Sequence, residues 1–278
     1  MRDFTLRTYQ ALLKAIGESG AECITFEQYC SIRQGLSGAK ALPERFVILR
    51  HDVDKKPWNS VRMAELEAQM GVKASYYFRI GKSSNNPECI KRIAALGHEI
   101  GYHYEDMSLC HGDHDKAYEH FKNTLAYFRQ FYPVRTCCMH GAPMSRYDSR
   151  ALWEKYYTDE HGETRKVYNY RDLQLIGEPY YDVDFNHVLY LTDTGRCWDG
   201  YNYSLRDKVP EHQERWNKNG WWFHRTPELI IAMEDRRLPA GVMITTHPQR
   251  WTNSWLGWAK ELIVQNCKNM VKAVLAGK

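Results

Sequence analysis

The stretch Phe46-Val47-Ile48-Leu49-Arg50-His51-Asp52-Val53-Asp54 constrains this chain more than any other. Its four consecutive apolar residues predict a buried strand. An imidazole and two carboxylates follow. Side chains alternate along a strand, so Asp52 and Asp54 leave on the same side. Two like charges held that close need a cation, a proton or water between them. Pro57 then opens a helical segment. Strand, acidic tip and helix in succession is how open α/β sheets and β/α barrels build sites at the carboxyl ends of their strands.

The same unit recurs along the chain. Apolar or β-branched runs predict strands over 22–26, 45–51, 72–78, 98–102, 134–139, 188–191 and 241–246. Two further candidate strands are 173–176 and 180–185. Helical periodicity marks 5–17, 57–70, 113–130, 226–237 and 254–274. Asn86-Pro87 opens another helix that closes at Gly97, and Asp148 starts a short one through Trp153. Residues 27–44 are mixed. Residues 157–170 are polar, and 196–220 are charged, aromatic and aperiodic. The expectation is a single α/β domain over 1–278, with an N-terminal extension 1–44 and an insertion or long loop region at about 157–220.

Several strands deliver chemistry at their ends. Asp52 and Asp54, His103, His140 and His247 each follow an apolar strand and precede a loop or helix. In an α/β barrel all these ends face one mouth. Two carboxylates and three imidazoles there can hold a divalent metal and still leave a base and an acid. His51 and His98 are expected to be hydrogen-bonded structural histidines.

Composition excludes other classes. A net charge of +4 without a basic run argues against nucleic acid as partner. No apolar stretch is long enough to span a membrane. The start has no apolar signal core, so a cytoplasmic protein is expected. Eight Cys without a CxxC do not form a disulfide framework in a chain of 278 residues.

From about Arg45 to Trp251 the sequence resembles the polysaccharide deacetylase family, the NodB-like carbohydrate esterases. His51-Asp52-Val53-Asp54 is similar to the family's first motif, and Gly97-His98-Glu99-Ile100-Gly101-Tyr102-His103 to its second. His247-Pro248 after an apolar strand resembles the late motif that supplies the acid. The resemblance implies a distorted (β/α)7-type barrel and removal of acetyl or similar acyl groups from an amino sugar or polysaccharide-related substrate. It implies Asp52 as catalytic base, Asp54 and His103 as metal ligands, and His247 as general acid.

Two departures stand out. Met107 occupies the place of the family's second motif histidine, and a thioether suits a site of oxygen and nitrogen donors poorly. His140, as nitrogen, is the expected third ligand for Zn²⁺, with Glu105 or Asp106 as alternatives. The arginine that tunes the family's base is not evident, and Arg79 and Arg146 are the candidates near strand ends. Aromatics make up 13% of the chain. Trp198, Tyr201, Trp221 and Trp222, with Arg79, are expected to contact a carbohydrate or sugar-derived small molecule. The alternative is a catalytically inactive glycan-binding relative, or a different amide or ester hydrolase on the same fold.

Overall fold

The computed structural model describes residues 2–198 and 204–275. Helix α1 (Leu6–Glu18) leads into strand β1 (Glu22–Ile24) and helix α2 (Phe26–Arg33). Then come β2 (Phe46–Val53), α3 (Pro57–Gln69), β3 (Ser75–Phe78), α4 (Pro87–Ala95) and β4 (Glu99–Tyr104). A single turn α5 (Asp106–Leu109), α6 (His114–Phe128) and β5 (Cys137–Met139) follow. The hairpin β6 (Tyr156–Thr158) and β7 (Thr164–Lys166) is exposed. After it come α7 (Pro179–Asp182), β8 (Val188–Thr192), α8 (Pro210–Lys218), α9 (Thr226–Glu234), β9 (Gly241–Thr246) and α10 (Trp255–Leu275).

Seven strands form one parallel sheet in the order β5-β4-β3-β2-β9-β8, with β1 also paired to β2. The sheet curls into a half-barrel, a mixed α/β fold. Because every pair is parallel, all seven carboxyl ends face one side, as the strand-end pattern requires. β2 lies at the centre, and all of its residues are buried. β1 pairs with its first half and β3 with its second, both through the same edge. Gly101 lets the Tyr77 ring cross β4, since a Cβ there would stand 2.3 Å from that ring.

The alternation along β2 sorts its polar residues. His51 points toward α3, where its Nε2 meets Glu67 Oε1 at 2.7 Å. Tyr9 and Tyr76 donate their hydroxyls to the same carboxylate. His98 Nε2 donates to the Ala64 carbonyl at 3.0 Å. Both histidines are therefore internal hydrogen-bonding groups. Arg50 and Asp52 point the other way.

Four segments differ from the sequence expectation. Residues 173–176 and 180–185 are not strands. Tyr170–Leu173 is a 3-10 turn, and Pro179 with the Glu178 side chain on the Tyr180 N–H starts α7 instead. The segment crosses the outer edge of β5 through single bonds, Ile176 N–H to the Arg135 carbonyl and Cys137 N–H to the Gly177 carbonyl. Residues 26–33 are a helix, fixed by a capping box between Thr25 and Gln28. The aperiodic stretch contains α8, opened by Pro210. No disulfide links the described residues. No described helix is long and apolar enough to cross a membrane.

Candidate metal centre

Asp52, Asp54, His103, His140 and His247 line one cavity of about 90 Å³ at the carboxyl ends of the strands. Asp54 follows β2 by one residue. Its Oδ1 is buried and has no hydrogen-bond donor among the described residues. Its Oδ2 accepts from Gln249 Nε2 at 3.2 Å. Burial alone would raise this carboxyl. His140, His247 and His103 overcome that and hold it well below the usual carboxylate range.

His103 lies inside β4. Its Nδ1 donates to the Cys138 carbonyl at 3.0 Å. A carbonyl only accepts, so Nδ1 carries a proton and Nε2 is the nitrogen turned toward the cavity. That Nε2 stands 3.7 Å from Asp54 Oδ1. His140 follows β5, anchored by its own N–H on the Tyr104 carbonyl. Its Nδ1 is 3.3 Å from Asp54 Oδ1 and 3.3 Å from His103 Nε2. Burial lowers its pKa to about 4, against the pull of Asp54. The ring is thus neutral at pH 7, as a ligand must be.

These three atoms form a triangle of 3.3, 3.3 and 3.7 Å. Donors bound at about 2.1 Å in a tetrahedral site stand about 3.4 Å apart. The orphaned Asp54 oxygen at one corner needs a positive partner, and two imidazole nitrogens are aimed at the same point. The residues present fit a divalent metal ion. A second grouping, Asp52, His103 and Cys138, fits less well. Burial drives the Cys138 thiol well above its ordinary pKa and keeps it protonated.

Two further groups flank the triangle. Asp52 is clamped by Arg50, with Nε on Oδ1 at 2.9 Å and Nη2 on Oδ2 at 2.6 Å. Both residues are buried. Burial works against the guanidinium, but Asp52 outweighs it and keeps Arg50 charged. On the other side His247 Nε2 lies 3.9 Å from Asp54 Oδ2. His247 Nδ1 bonds Asp193 Oδ1 at 2.6 Å. Asp193 also accepts from Arg250 and from the Trp251 indole N–H. Burial would raise Asp193, yet Arg250 and His247 bring it down to about 2. Burial and Arg250 push the His247 pKa down, and Asp193 with Asp54 more than reverses this, so it is raised.

Asp207 enters from the loop before α8. It accepts from the Tyr180 and Tyr190 hydroxyls and sits 3.7 Å from Arg50 Nη2. Sequence reasoning missed Arg50, Asp193 and Asp207. Arg50 had a signal, because Arg50, Asp52 and Asp54 are spaced by two on one face of a strand. Asp193 follows a strand like the other site residues but reads as a turn residue. Asp207 had no periodic context.

The arginine that grips Asp52 is Arg50, and neither Arg79 nor Arg146 does so. Arg79 instead pairs with Glu105 through two bonds of 2.8 Å. Glu105 remains 3.9 Å from His140 Nε2, a neighbour of the triangle rather than a corner. Asp106 turns away to Tyr102 and to His120 Nδ1 at 2.5 Å. Met107 is packed in the core. Trp198 is fully buried between Phe4 and Trp251, its indole N–H on Thr226. Trp221 donates to the Arg237 carbonyl, and Trp222 is surface-exposed beside His224. None of these three lines the cavity, Trp198 being part of the core and Trp222 lying on the surface away from it. Tyr201 lies outside the described residues.

No protein-family model matches the chain, and no curated protein does. A solved structure of a CE4 family pseudoenzyme from Bacillus anthracis aligns with TM-score 0.43 and 14% identity, covering 82% of this chain and 62% of that one. A mutant of a CE4 family pseudoenzyme with restored enzymatic activity aligns with TM-score 0.43 and 14% identity over 82% and 64%. The Xyl-CE4 domain of a multidomain xylanase from the hindgut metagenome of Trinervitermes trinervoides gives 0.38 and 14% over 82% and 85%. The chain thus spans less than two thirds of the first two structures. Similarity this low leaves the chemistry to be judged from the residues themselves.

Proposed function

We propose that this protein is a divalent-metal-dependent hydrolase. It removes an acetyl or similarly small acyl group from an amide or ester on an amino sugar. On this reading the half-barrel is a distorted (β/α)7-type barrel of the NodB-like kind. The observation that carries the proposal is the donor triangle of Asp54, His103 and His140 with Asp52 and His247 on either side in one cavity. One carboxylate and two imidazoles match Zn²⁺ best among common divalent ions. When bound, the cation supplies Lewis acidity to a carbonyl and makes a nearby water more acidic.

The chain's own residues do the rest. Asp54, His103 and His140 hold the ion. Asp52 takes the proton from the attacking water, and Arg50 fixes its direction. Asp193 holds the His247 ring by Nδ1, which leaves Nε2 to face the reacting groups. The raised pKa keeps that ring protonated longer, and its proton goes to the departing nitrogen or oxygen. The cavity of about 90 Å³ has room for a group the size of acetyl.

One observation favours the non-catalytic alternative. Both oxygens of Asp52 are engaged by Arg50, so its capacity as a base is reduced. In that case the protein is a glycan-binding relative that retains the metal site. Amine release from N-acetylated amino sugars by the Zn²⁺-loaded protein decides between them. His247→Ala is expected to lower turnover while zinc content stays unchanged. Wild-type turnover in that variant would remove His247 from the mechanism, and absent turnover in the wild type would leave the binding role.

A further inference from the structure

The cavity at the donor triangle has room for an acyl group, and the rest of a substrate can extend beyond it. A groove of about 530 Å³ adjoins it and shares His140 and Pro143 with it. Its walls are the chain around Glu105 to His111 and the loop Ala142 to Tyr147. This volume suits one small molecule rather than a long polymer. We infer that the substrate carries an anionic group, a phosphate or a carboxylate, and that this groove binds it through Arg146. The inference rests on the hydrolase reading for its choice of sugar.

The charges in the groove support it. Glu105 is the carboxylate among the lining residues, and Arg79 neutralises it through two bonds of 2.8 Å. Arg146 has no carboxylate within 4 Å among the described residues. Its guanidinium lies 4.8 Å from the centre of the Tyr147 ring, and Nη2 donates to the Tyr147 hydroxyl at 2.6 Å. The remaining N–H groups are left for a ligand. A guanidinium laid on an aromatic face is already ordered, so little freedom is lost when it meets an oxyanion.

The platform under Arg146 is itself built. His111 and Gly112 have φ of 53° and 85°. A Cβ at Gly112 would lie 2.3 Å from the Tyr147 ring, so only glycine seats that ring. Behind the loop, Arg206 gathers the carbonyls of Gly141, Ala142 and Ser145 at 3.0, 2.8 and 2.7 Å. In a trans peptide the N–H runs opposite to the carbonyl. The N–H groups of Ala142 and Arg146 therefore point away from Arg206. A wall with a stacked guanidinium, unpaired among the described residues, and a neutralised carboxylate selects an anion.

Calorimetry on the Zn²⁺-loaded protein tests this with four probes. They are N-acetylglucosamine, its 1-phosphate, its 6-phosphate and the corresponding uronic acid. At least one anionic probe is expected to bind about tenfold tighter than the neutral sugar, as a charge-assisted contact provides. Which one gains the advantage separates phosphate from carboxylate. Arg146→Gln should abolish the advantage and leave the neutral sugar unaffected, while Arg146→Lys retains part of it. Equal binding of all four probes, or an advantage that survives Arg146→Gln, overturns the inference. Amine release measured in parallel separates the two claims. An Arg146-dependent advantage without amine release from any probe rejects amide hydrolysis of these sugars and keeps the anion site. Amine release with equal efficiency from neutral and anionic sugars keeps the hydrolase and rejects the anion site.

Discussion

β2 separates two polar clusters built from the same parts. On the α3 side, Glu67 is surrounded by His51, His98, Tyr9 and Tyr76. At the mouth, Asp54 is surrounded by His103, His140 and His247. Around Glu67 the contacts of His51 at 2.7 Å, Tyr76 at 2.7 Å and Tyr9 are hydrogen bonds, His98 stands at 3.6 Å, and the cluster is sealed. Around Asp54 the imidazole nitrogens stand back at 3.3 to 3.9 Å, and one carboxylate oxygen has no donor among the described residues. A carboxylate among histidines is a structural network when it is saturated. It is a ligand set when lone pairs converge on a point that none of them can satisfy.

The contrast is broken most strongly through turnover. Asp52→Asn should lower kcat by about 10²–10⁴-fold on an N-acetylated amino sugar, the usual effect of a lost general base. Glu67→Gln should leave kcat within a few-fold of wild type, since it belongs to the sealed cluster. A comparable loss in both would mean that the two clusters are one machine.

Stability should show the reverse ranking. Glu67→Leu strands the buried His51, Tyr9 and Tyr76 partners, and breaking such a buried network costs about 3–5 kcal/mol. Urea denaturation measures it. Asp54→Asn removes a charge that His140, His247 and His103 favour, but its Oδ1 has no donor among the described residues, so the metal-free variant should lose less stability than Glu67→Leu. If Asp54→Asn unfolds the protein and Glu67→Leu does not, the assignment of roles is inverted.

A smaller effect comes from Glu178, behind β5. It accepts from the Met139 and Tyr180 N–H groups, but burial pushes its carboxyl up to about 7. In the unfolded chain the same group ionises near 4.5. Between these values the unfolded chain binds fewer protons, so stability falls as pH rises from about 4.5 to about 7. Glu178→Gln should flatten the urea midpoint across that range relative to wild type. Parallel curves for the two proteins would refute the raised carboxyl. The smallest change is expected for Trp222→Ala, within about 0.5 kcal/mol in stability and without effect on kcat, because this ring is on the surface away from the cavity.

Much of the framework is legible in the chain because two periodicities carry it. The apolar runs before Asp52, His103, His140 and His247 placed these residues at strand ends, and parallel pairing brought them to one mouth. What alternation could not reveal came from elements without it. Glu67 is a helix residue whose acidic side chain reads as surface until His51 is seen across from it. Asp207 arrives on an irregular loop, where spacing says nothing about proximity. The tryptophans misled for a related reason, since aromatic density fits a core and a cleft equally well. Trp198 resolved to core by its neighbours Phe4 and Trp251, which are distant in sequence. Glu178-Pro179 starts the short helix α7 where the pattern of 180–185 reads as a strand, so a single proline with a capping carboxylate outweighed that pattern.

The central claim is that Asp54, His103 and His140 together hold a metal ion, with His140 in the place that Met107 leaves unfilled. Competitive Zn²⁺ titration against a chromogenic chelator tests it directly, on wild type, Asp54→Ala, His103→Ala, His140→Ala and Glu105→Ala. Tight binding should be lost in the first two variants and weakened far more by His140→Ala than by Glu105→Ala. Wild-type protein that binds no zinc at micromolar concentration, or His140→Ala protein that binds as tightly as wild type, would contradict it.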